Sequence, residues 1–244
     1  MEIAKDINKI KLKTRHRFDR QMIKDCARNY SHFSFDENSI VLDLGCNVGG
    51  MMHWLSDIDI KQYIGLDALK ENVDFFKENN LPNKDNYKVI HGAATISDEK
   101  TVTFYNNPNE IGTTNGQSNP SNRQKQSRSV EISVPNYNID DLIDLYKPTH
   151  LKMDIKGTEM LWFSKNLGKI PSCVKQFFVE VYTKNGAIRY DTEFVQTQLQ
   201  DFDIKYVYPT ERFKNMGDWY HLPNLGLDNI NAQLYDVNVL MYRK

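Results

Sequence analysis

The sequence predicts one α/β domain on a mostly parallel, seven-stranded sheet with helices on both faces, preceded by a helical extension. Three observations predict it. An apolar run ends in an acid, then a glycine-rich turn, then a helix start: Ile-Val-Leu-Asp-Leu-Gly-Cys-Asn-Val-Gly-Gly over 40–50, followed by Met51-Met52-His53-Trp54-Leu55. Short apolar runs then alternate with helical periodicity to the end of the chain, the pattern of parallel strands joined by crossover helices. Finally, Asp43, Asp67, His91, Asp154 and Glu180 all fall at or near the carboxyl ends of predicted strands, where such a sheet gathers its ligand.

The elements follow in order. Ile3, Ile7 and Ile10, then Phe18, Met22, Cys26 and Tyr30, recur at helical spacing, so residues 1–36 read as one or two amphipathic helices with a basic outer face. Residues 37–244 form the main domain. Its first strand is Ile40–Leu44 with a helix over Gly50–Ser56, and its second is Tyr63–Leu66, ending in Asp67. A helix near Lys70–Asn79 is closed by Asn80-Leu81-Pro82. The third strand is Tyr87–His91. Thr101–Tyr105 and Val130–Val134 alternate apolar and polar residues and pair as a hairpin. Between them, 106–129 is rich in Asn, Ser, Gly, Gln and Arg without periodicity. A loop that long is a lid, a binding loop or a surface insert, and its place after the third strand favours a lid. Ile139–Leu145 is a short helix, and His150–Met153 is the fourth strand, ending in Asp154. A helix bearing Leu161, Trp162 and Leu167 follows, then the strand Gln176–Val181. A helix at Asp191–Leu199 and strands at Ile204–Tyr208 and Val237–Tyr242 complete the chain.

Composition narrows the class. The chain has 244 residues, 40% of them hydrophobic, and a formal charge of −1. The charge is unevenly placed: nine Lys/Arg against four acids make residues 1–30 +5 and leave the remainder −6. Three widely spaced cysteines, Cys26, Cys46 and Cys173, form neither a metal-ligand set nor a disulfide framework, which suits a reducing compartment. No apolar run reaches membrane-spanning length and the start lacks a signal-peptide core, so a cytoplasmic protein is expected.

The turn at 45–50 departs from a dinucleotide-binding one. Gly45 and Gly50 fit the G-x-G-x-x-G pattern, but its middle position, the glycine that admits a pyrophosphate, is Asn47. Asp43 would set a negative charge beneath a ligand, which a diphosphate disfavours and a cationic amino-acid end does not. S-adenosylmethionine, with its ribose, α-ammonium and sulfonium, suits both departures. Asp67, twenty-two positions after Gly45, is placed to accept ribose hydroxyls, although it also precedes a helix it could cap. Gly92-Ala93-Ala94 offers small residues where an adenine could lie against backbone, and the same residues suit an ordinary turn.

The second rich segment is Lys152-Met-Asp154-Ile-Lys-Gly157-Thr-Glu159. A carboxylate at Asp154 could orient or deprotonate an acceptor hydroxyl and favour a sulfonium; it could also cap the next helix. Glu159 reads equally as functional or as half of a surface ion pair. Glu180, inside the apolar run Phe177-Phe178-Val179-Glu180-Val181, needs a partner, and Lys152 on the adjacent strand is the expected one. His91 and His221 are alternative bases.

Together, Val41-Leu-Asp-Leu-Gly-Cys-Asn-Val-Gly49, Asp67, Gly92-Ala-Ala-Thr-Ile-Ser97, Leu151-Lys-Met-Asp-Ile-Lys-Gly-Thr-Glu159 and Val179-Glu-Val181 resemble the FkbM family of S-adenosylmethionine-dependent methyltransferases. That family reads roughly D-x-G-A-N-x-G, A-x-S, K-I-D-x-E-G-x-E and a strand with E-x. The resemblance spans about residues 38–182, more loosely to 242, and the 151–159 segment carries most of it. It implies a Rossmann-like class I methyltransferase fold and O-methylation of sugars, polyketides or other small-molecule hydroxyls. It places cofactor contacts on Asp43, Gly45, Asn47, Gly49, Asp67 and Ala93, with their neighbours Cys46, Ala68 and Gly92 in the same set. The reaction falls near Asp154, attended by Lys152 and Glu180. Cys46 stands where the family has alanine and Lys156 where it has glutamate. A cation at 156 disfavours a hard divalent metal, so no metal site is expected.

Two rival readings share this fold. A ribose 2′-O-methyltransferase would use a Lys-Asp-Lys-Glu set, and Lys24, Asp154, Lys184 and Glu211 occur in a compatible order. The basic amino-terminal helix and Arg123, Lys125 and Arg128 could then grip nucleic-acid phosphates. A catalytically silent cofactor-binding module is the other. A small-molecule or glycan acceptor is the favoured partner, with no membrane.

Overall fold

The computed structural model describes residues 14–15, 19, 30, 32–79, 85–106, 130–155, 158–166, 170–182, 201–207 and 236–244, with backbone alone for 105–106, 160, 164, 180–182, 204–207 and 236–241. The helix expected at 191–199, the loop at 106–129 and most of the helical extension lie outside the described residues.

The strands are β1 (Ile40–Leu44), β2 (Gln62–Asp67), β3 (Tyr87–His91), β4 (Ala93–Thr95), β5 (Thr101–Asn106), β6 (Val130–Asn138), β7 (His150–Met153), β8 (Gln176–Tyr182), β9 (Phe202–Val207) and β10 (Asp236–Arg243). The described helices are α1 (Gly50–Trp54, running on as a 3-10 turn over Leu55–Asp57), α2 (Lys70–Glu78), α3 (Ile139–Tyr146) and α4 (Glu159–Lys165). Seven strands form the main sheet in the order β3-β2-β1-β7-β8-β10-β9. Only β10 runs against its neighbours. The chain winds outward from β1 to β3, then returns to place β7 on the other side of β1. That reversal opens a crevice at the carboxyl ends of β1 and β7.

One element escaped the sequence. Gly92-Ala-Ala-Thr is not a turn but leads into β4, which pairs in parallel with β6. The expected β5–β6 hairpin is present, and the three strands form a separate small sheet. A three-residue strand has no readable periodicity, so only its partner reveals it. Asn136 ties this sheet to the turn before β5. Its Nδ2 donates to the Ser97 and Glu99 carbonyls at 2.8 Å, while its Oδ1 accepts from the Thr95 hydroxyl at 2.7 Å.

Strand alternation divides the core into two layers. Leu42, Leu44, Ile64, Leu66, Leu151, Met153, Phe177 and Val179 turn to one face and pack on Ile139, Leu142 and Ile143 of α3 and Trp162 and Phe163 of α4. Val41, Tyr63 and Phe178 turn to the other, against Met51, Met52 and Trp54 of α1, Phe76 of α2, and Tyr30 and Phe33. Each fully buried large side chain contributes about 1.5–3 kcal/mol. Asp43 and Lys152 are out of phase with the first face and so share the second. The β1–β7 register sets them directly opposite each other.

Candidate active site

The glycine-rich turn is built from alternating left-handed residues. Gly45, Asn47 and Gly49 have φ of 79°, 48° and 89°. Asparagine is among the few side chains that tolerate this region, which explains residue 47 without any appeal to a ligand. Its Oδ1 accepts from the Val48 amide at 2.7 Å, and its own amide donates to Asp67 Oδ2 at 2.9 Å. The Gly45 and Cys46 amides donate to the Leu66 carbonyl at 2.8 and 3.0 Å, so the turn leans on β2. Two of the glycines are needed for space as well as angle. A Cβ on Gly45 would lie 1.9 Å from the Asp154 carbonyl oxygen, and one on Gly49 would lie 2.8 Å from the Phe76 ring.

Beneath the turn lies a buried ion pair. Lys152 Nζ stands 2.9 Å from Asp43 Oδ1, with the two side chains 5% and 1% exposed. Lys152 also donates to the Gly45 carbonyl at 2.6 Å, and the Tyr63 hydroxyl donates to Asp43 Oδ2 at 2.6 Å. This corrects one expectation. Asp43 does not offer a bare negative charge to a ligand, because Lys152 compensates it. Lys152 reaches across to β1, whereas its expected partner Glu180 has its side chain outside the described residues. Burial and the Asp43 charge push the Tyr63 phenol well above its usual range, which keeps it a neutral donor.

Asp67 ends β2 as expected and is 4% exposed. Besides Asn47, it accepts from the Leu69 amide at 2.9 Å and from Asn72 Nδ2 at 3.1 Å, both on Oδ1. Leu69, not Asp67, is the N-cap of α2. Burial raises the Asp67 carboxyl above its ordinary value, partly offset by these donors. Oδ2 carries one of the three bonds, leaving acceptor capacity there for a hydroxyl. Burial likewise drives the Cys46 thiol well above its usual range, so it packs as a small apolar group against Gly65.

The remaining predicted residues sit around this centre. The Gly92 amide donates to the Asp67 carbonyl at 2.9 Å, and His91 Nε2 lies 3.1 Å from the Ala68 carbonyl, bringing 67–68 and 91–93 together. Ala93 packs with Leu69, Phe104 and Val134. Asp154, half-buried at the end of β7, donates its amide to the Leu44 carbonyl at 3.0 Å. Glu159 is no surface residue: at 2% exposure it accepts from the Ile155 amide at 2.6 Å and closes the loop that carries Asp154. Glu180 follows Val179, which pairs with Met153, so its backbone stands level with Asp154 one strand over. Its side chain lies outside the described residues, as do Lys24, Lys156, Lys184, Glu211, His221 and the Arg123–Arg128 cluster.

Sequence reasoning missed Tyr63 and Asn72. Asn72, in the first turn of α2, carried no signal, because asparagine is ordinary near a helix start. Tyr63, in an apolar strand, carried none either. Among the described residues no helix is long and apolar enough to cross a membrane.

Residues 52–206 match the methyltransferase FkbM domain family. Among solved structures, the chain resembles the methyltransferase FkbM of Methylobacillus flagellatus KT, with TM-score 0.51 and 14% identity, over 89% of this chain and 48% of that one. The chain thus spans about half the length of that protein. An rRNA methylase from Streptococcus thermophilus overlaps with TM-score 0.44 and 10% identity, covering 95% and 99% of the two chains. Precorrin-6y C5,15-methyltransferase from Geobacter metallireducens GS-15 gives 0.46 and 8%, covering 100% and 99%. No curated protein matches the chain.

Proposed function

Because this chain belongs to the FkbM methyltransferase family, whose members use S-adenosylmethionine, we propose that it methylates a hydroxyl oxygen of a sugar, glycan or other small molecule. The observation that carries the reading is the meeting of the left-handed turn with the Asp154 backbone at the β1–β7 crevice, where no Cβ fits at Gly45.

The residues present suit the cofactor. Asp67 Oδ2 has acceptor capacity for a ribose hydroxyl, and the half-buried Ala68 beside it is small enough to admit an adenine, with Gly92, packed on Tyr137, and Ala93 behind it. Gly45, Cys46, Asn47 and Gly49 form the wall below. Asp43, neutralised by Lys152, acts by fixing the turn through Lys152 and the Gly45 carbonyl. S-adenosylmethionine, when bound, supplies an electrophilic sulfonium methyl and its own neutral leaving group. The protein's part is therefore alignment more than activation. Asp154, held by the Leu44 carbonyl and the Glu159-closed loop, orients the acceptor hydroxyl and takes its proton. Glu180 and Lys152 are assigned to the surroundings of that carboxylate.

The test is Asp154→Asn, followed by S-adenosylhomocysteine release with a panel of sugars and glycans and by calorimetric cofactor titration. Turnover should fall with cofactor affinity nearly unchanged. An unchanged rate removes Asp154 from the chemistry. Cofactor binding by the unsubstituted protein without turnover on any hydroxyl acceptor would instead support a silent binding module.

A further inference from the structure

Among the described residues of the amino-terminal extension, Arg15 reaches α2 and the carboxyl end of β2. The Arg15 backbone amide and Nε donate to Asp19 Oδ2 at 2.8 and 3.2 Å, and its Nη2 donates to Asp19 Oδ1 at 3.2 Å. The guanidinium lies 5.0 Å from the ring centre of Phe75 on α2. Nη2 also donates to Asn72 Oδ1 at 3.0 Å, and Asn72 Nδ2 donates onward to Asp67 Oδ1 at 3.1 Å. Asp19 and Asn72 are buried, at 0% and 3%. A guanidinium has only donors, so it compels the amide oxygen of Asn72 to face it and turns the NH2 toward Asp67.

We propose that Arg15 is a positioning residue of the cofactor site: acting through Asn72, it holds the Asp67 carboxylate in the orientation that receives ribose hydroxyls. The inference rests on reading Asp67 as the ribose acceptor. It makes the extension part of the site and not an appendage. Arg15 touches no reacting atom, so its loss raises the cofactor KM and spares kcat at saturation.

The test is calorimetric titration of the full chain with S-adenosylhomocysteine and with its analogue lacking the ribose hydroxyls. In Arg15→Ala the natural compound should bind about fivefold more weakly, the worth of one hydrogen bond. The analogue should lose less, so discrimination between the two falls. A lowered melting temperature with discrimination as in the unsubstituted protein would make Arg15 merely structural and overturn the proposal. Asn72→Ala leaves the Arg15–Asp19 fork intact and keeps the test open if Arg15→Ala does not fold. It should reduce discrimination equally, with Arg15→Ala adding nothing in that background; undiminished discrimination in Asn72→Ala counts against the relay. Asp67→Asn separates the two readings. If it leaves discrimination intact, the ribose assignment fails and takes the relay with it. If it abolishes discrimination while Arg15→Ala and Asn72→Ala do not reduce it, only the relay fails.

Discussion

The two ends of the parallel strands spend their polar residues differently. At the amino end, neutral groups and one arginine close on backbone. The Ile40 amide donates to Thr149 Oγ1 at 2.9 Å, and His150 Nε2 lies 2.9 Å from the Ser34 carbonyl. Gln176 exchanges two hydrogen bonds with Ser34, at 3.0 and 2.9 Å, and the Tyr242 hydroxyl donates to the His32 carbonyl at 2.6 Å. Nearby, Arg243 donates to the carbonyls of Ile170, Pro171 and Val174, its guanidinium 4.4 Å from the Phe202 ring centre. The carboxyl end instead buries an ion pair, a carboxylate with three donors and three left-handed residues. Buried charge, and the left-handed backbone of the non-glycine Asn47, cost free energy that an apolar core would not. One end is arranged for cohesion, and the other accepts cost for geometry.

If that contrast is right, the largest effect on activity is Asp154→Asn. Turnover should drop about 10²–10⁴-fold, the worth of general-base catalysis, with the melting temperature nearly unchanged. Next, Lys152→Met leaves Asp43 uncompensated and should cost about 3–5 kcal/mol. Adding Asp43→Asn should recover most of this, as read by urea denaturation; no recovery would deny the pair its role. Gly45→Ala forces a Cβ to within 1.9 Å of the Asp154 carbonyl at a φ of 79°. The left-handed strain alone is about 1–2 kcal/mol, and the displaced β7 end should lower turnover beyond what stability explains.

At the amino end the pattern should invert. Gln176→Ala, which removes both bonds to Ser34, should cost about 1–2 kcal/mol and leave S-adenosylhomocysteine affinity unchanged. A loss of affinity would blur the division between the ends. The smallest effect is pH dependence at His150. Burial lowers its pKa from 6.5, with the Ser34 carbonyl partly opposing the shift. The unfolded chain therefore binds the proton more readily, and stability falls as pH drops below 6.5 until the folded pKa is reached. Thermal midpoints against pH should show that slope, and His150→Gln should flatten it.

Much of this was legible in the chain. Strands β1 and β7 begin and end where the apolar runs do, because a central strand buried on both faces writes itself as a short hydrophobic block. The acids at 43, 67 and 154 declared their places at strand ends. Their partners did not. Asp43 finds Lys152 through register and Tyr63 through a diagonal contact across β2, and neither is a spacing along the chain. Asp67 and Asn72 are near in sequence, yet the bond between them depends on how α2 settles on the sheet. Glu159 read equally as functional or as half of a surface pair, because helical position alone does not reveal that the Ile155 amide donates to it.

The sequence by itself determined the strand–turn–helix frame, the crevice where the reaction is expected and the family to which the chain belongs. Hydrophobic periodicity and glycine placement are local, so they can be read one residue after another. Tertiary structure alone decided what each polar group is for: Asp43 neutralised, Asp67 held by three donors, Asn47 serving backbone conformation and Arg15 brought to the site. Those assignments depend on distances between strands and helices far apart in the chain, and packing, not spacing, sets such distances.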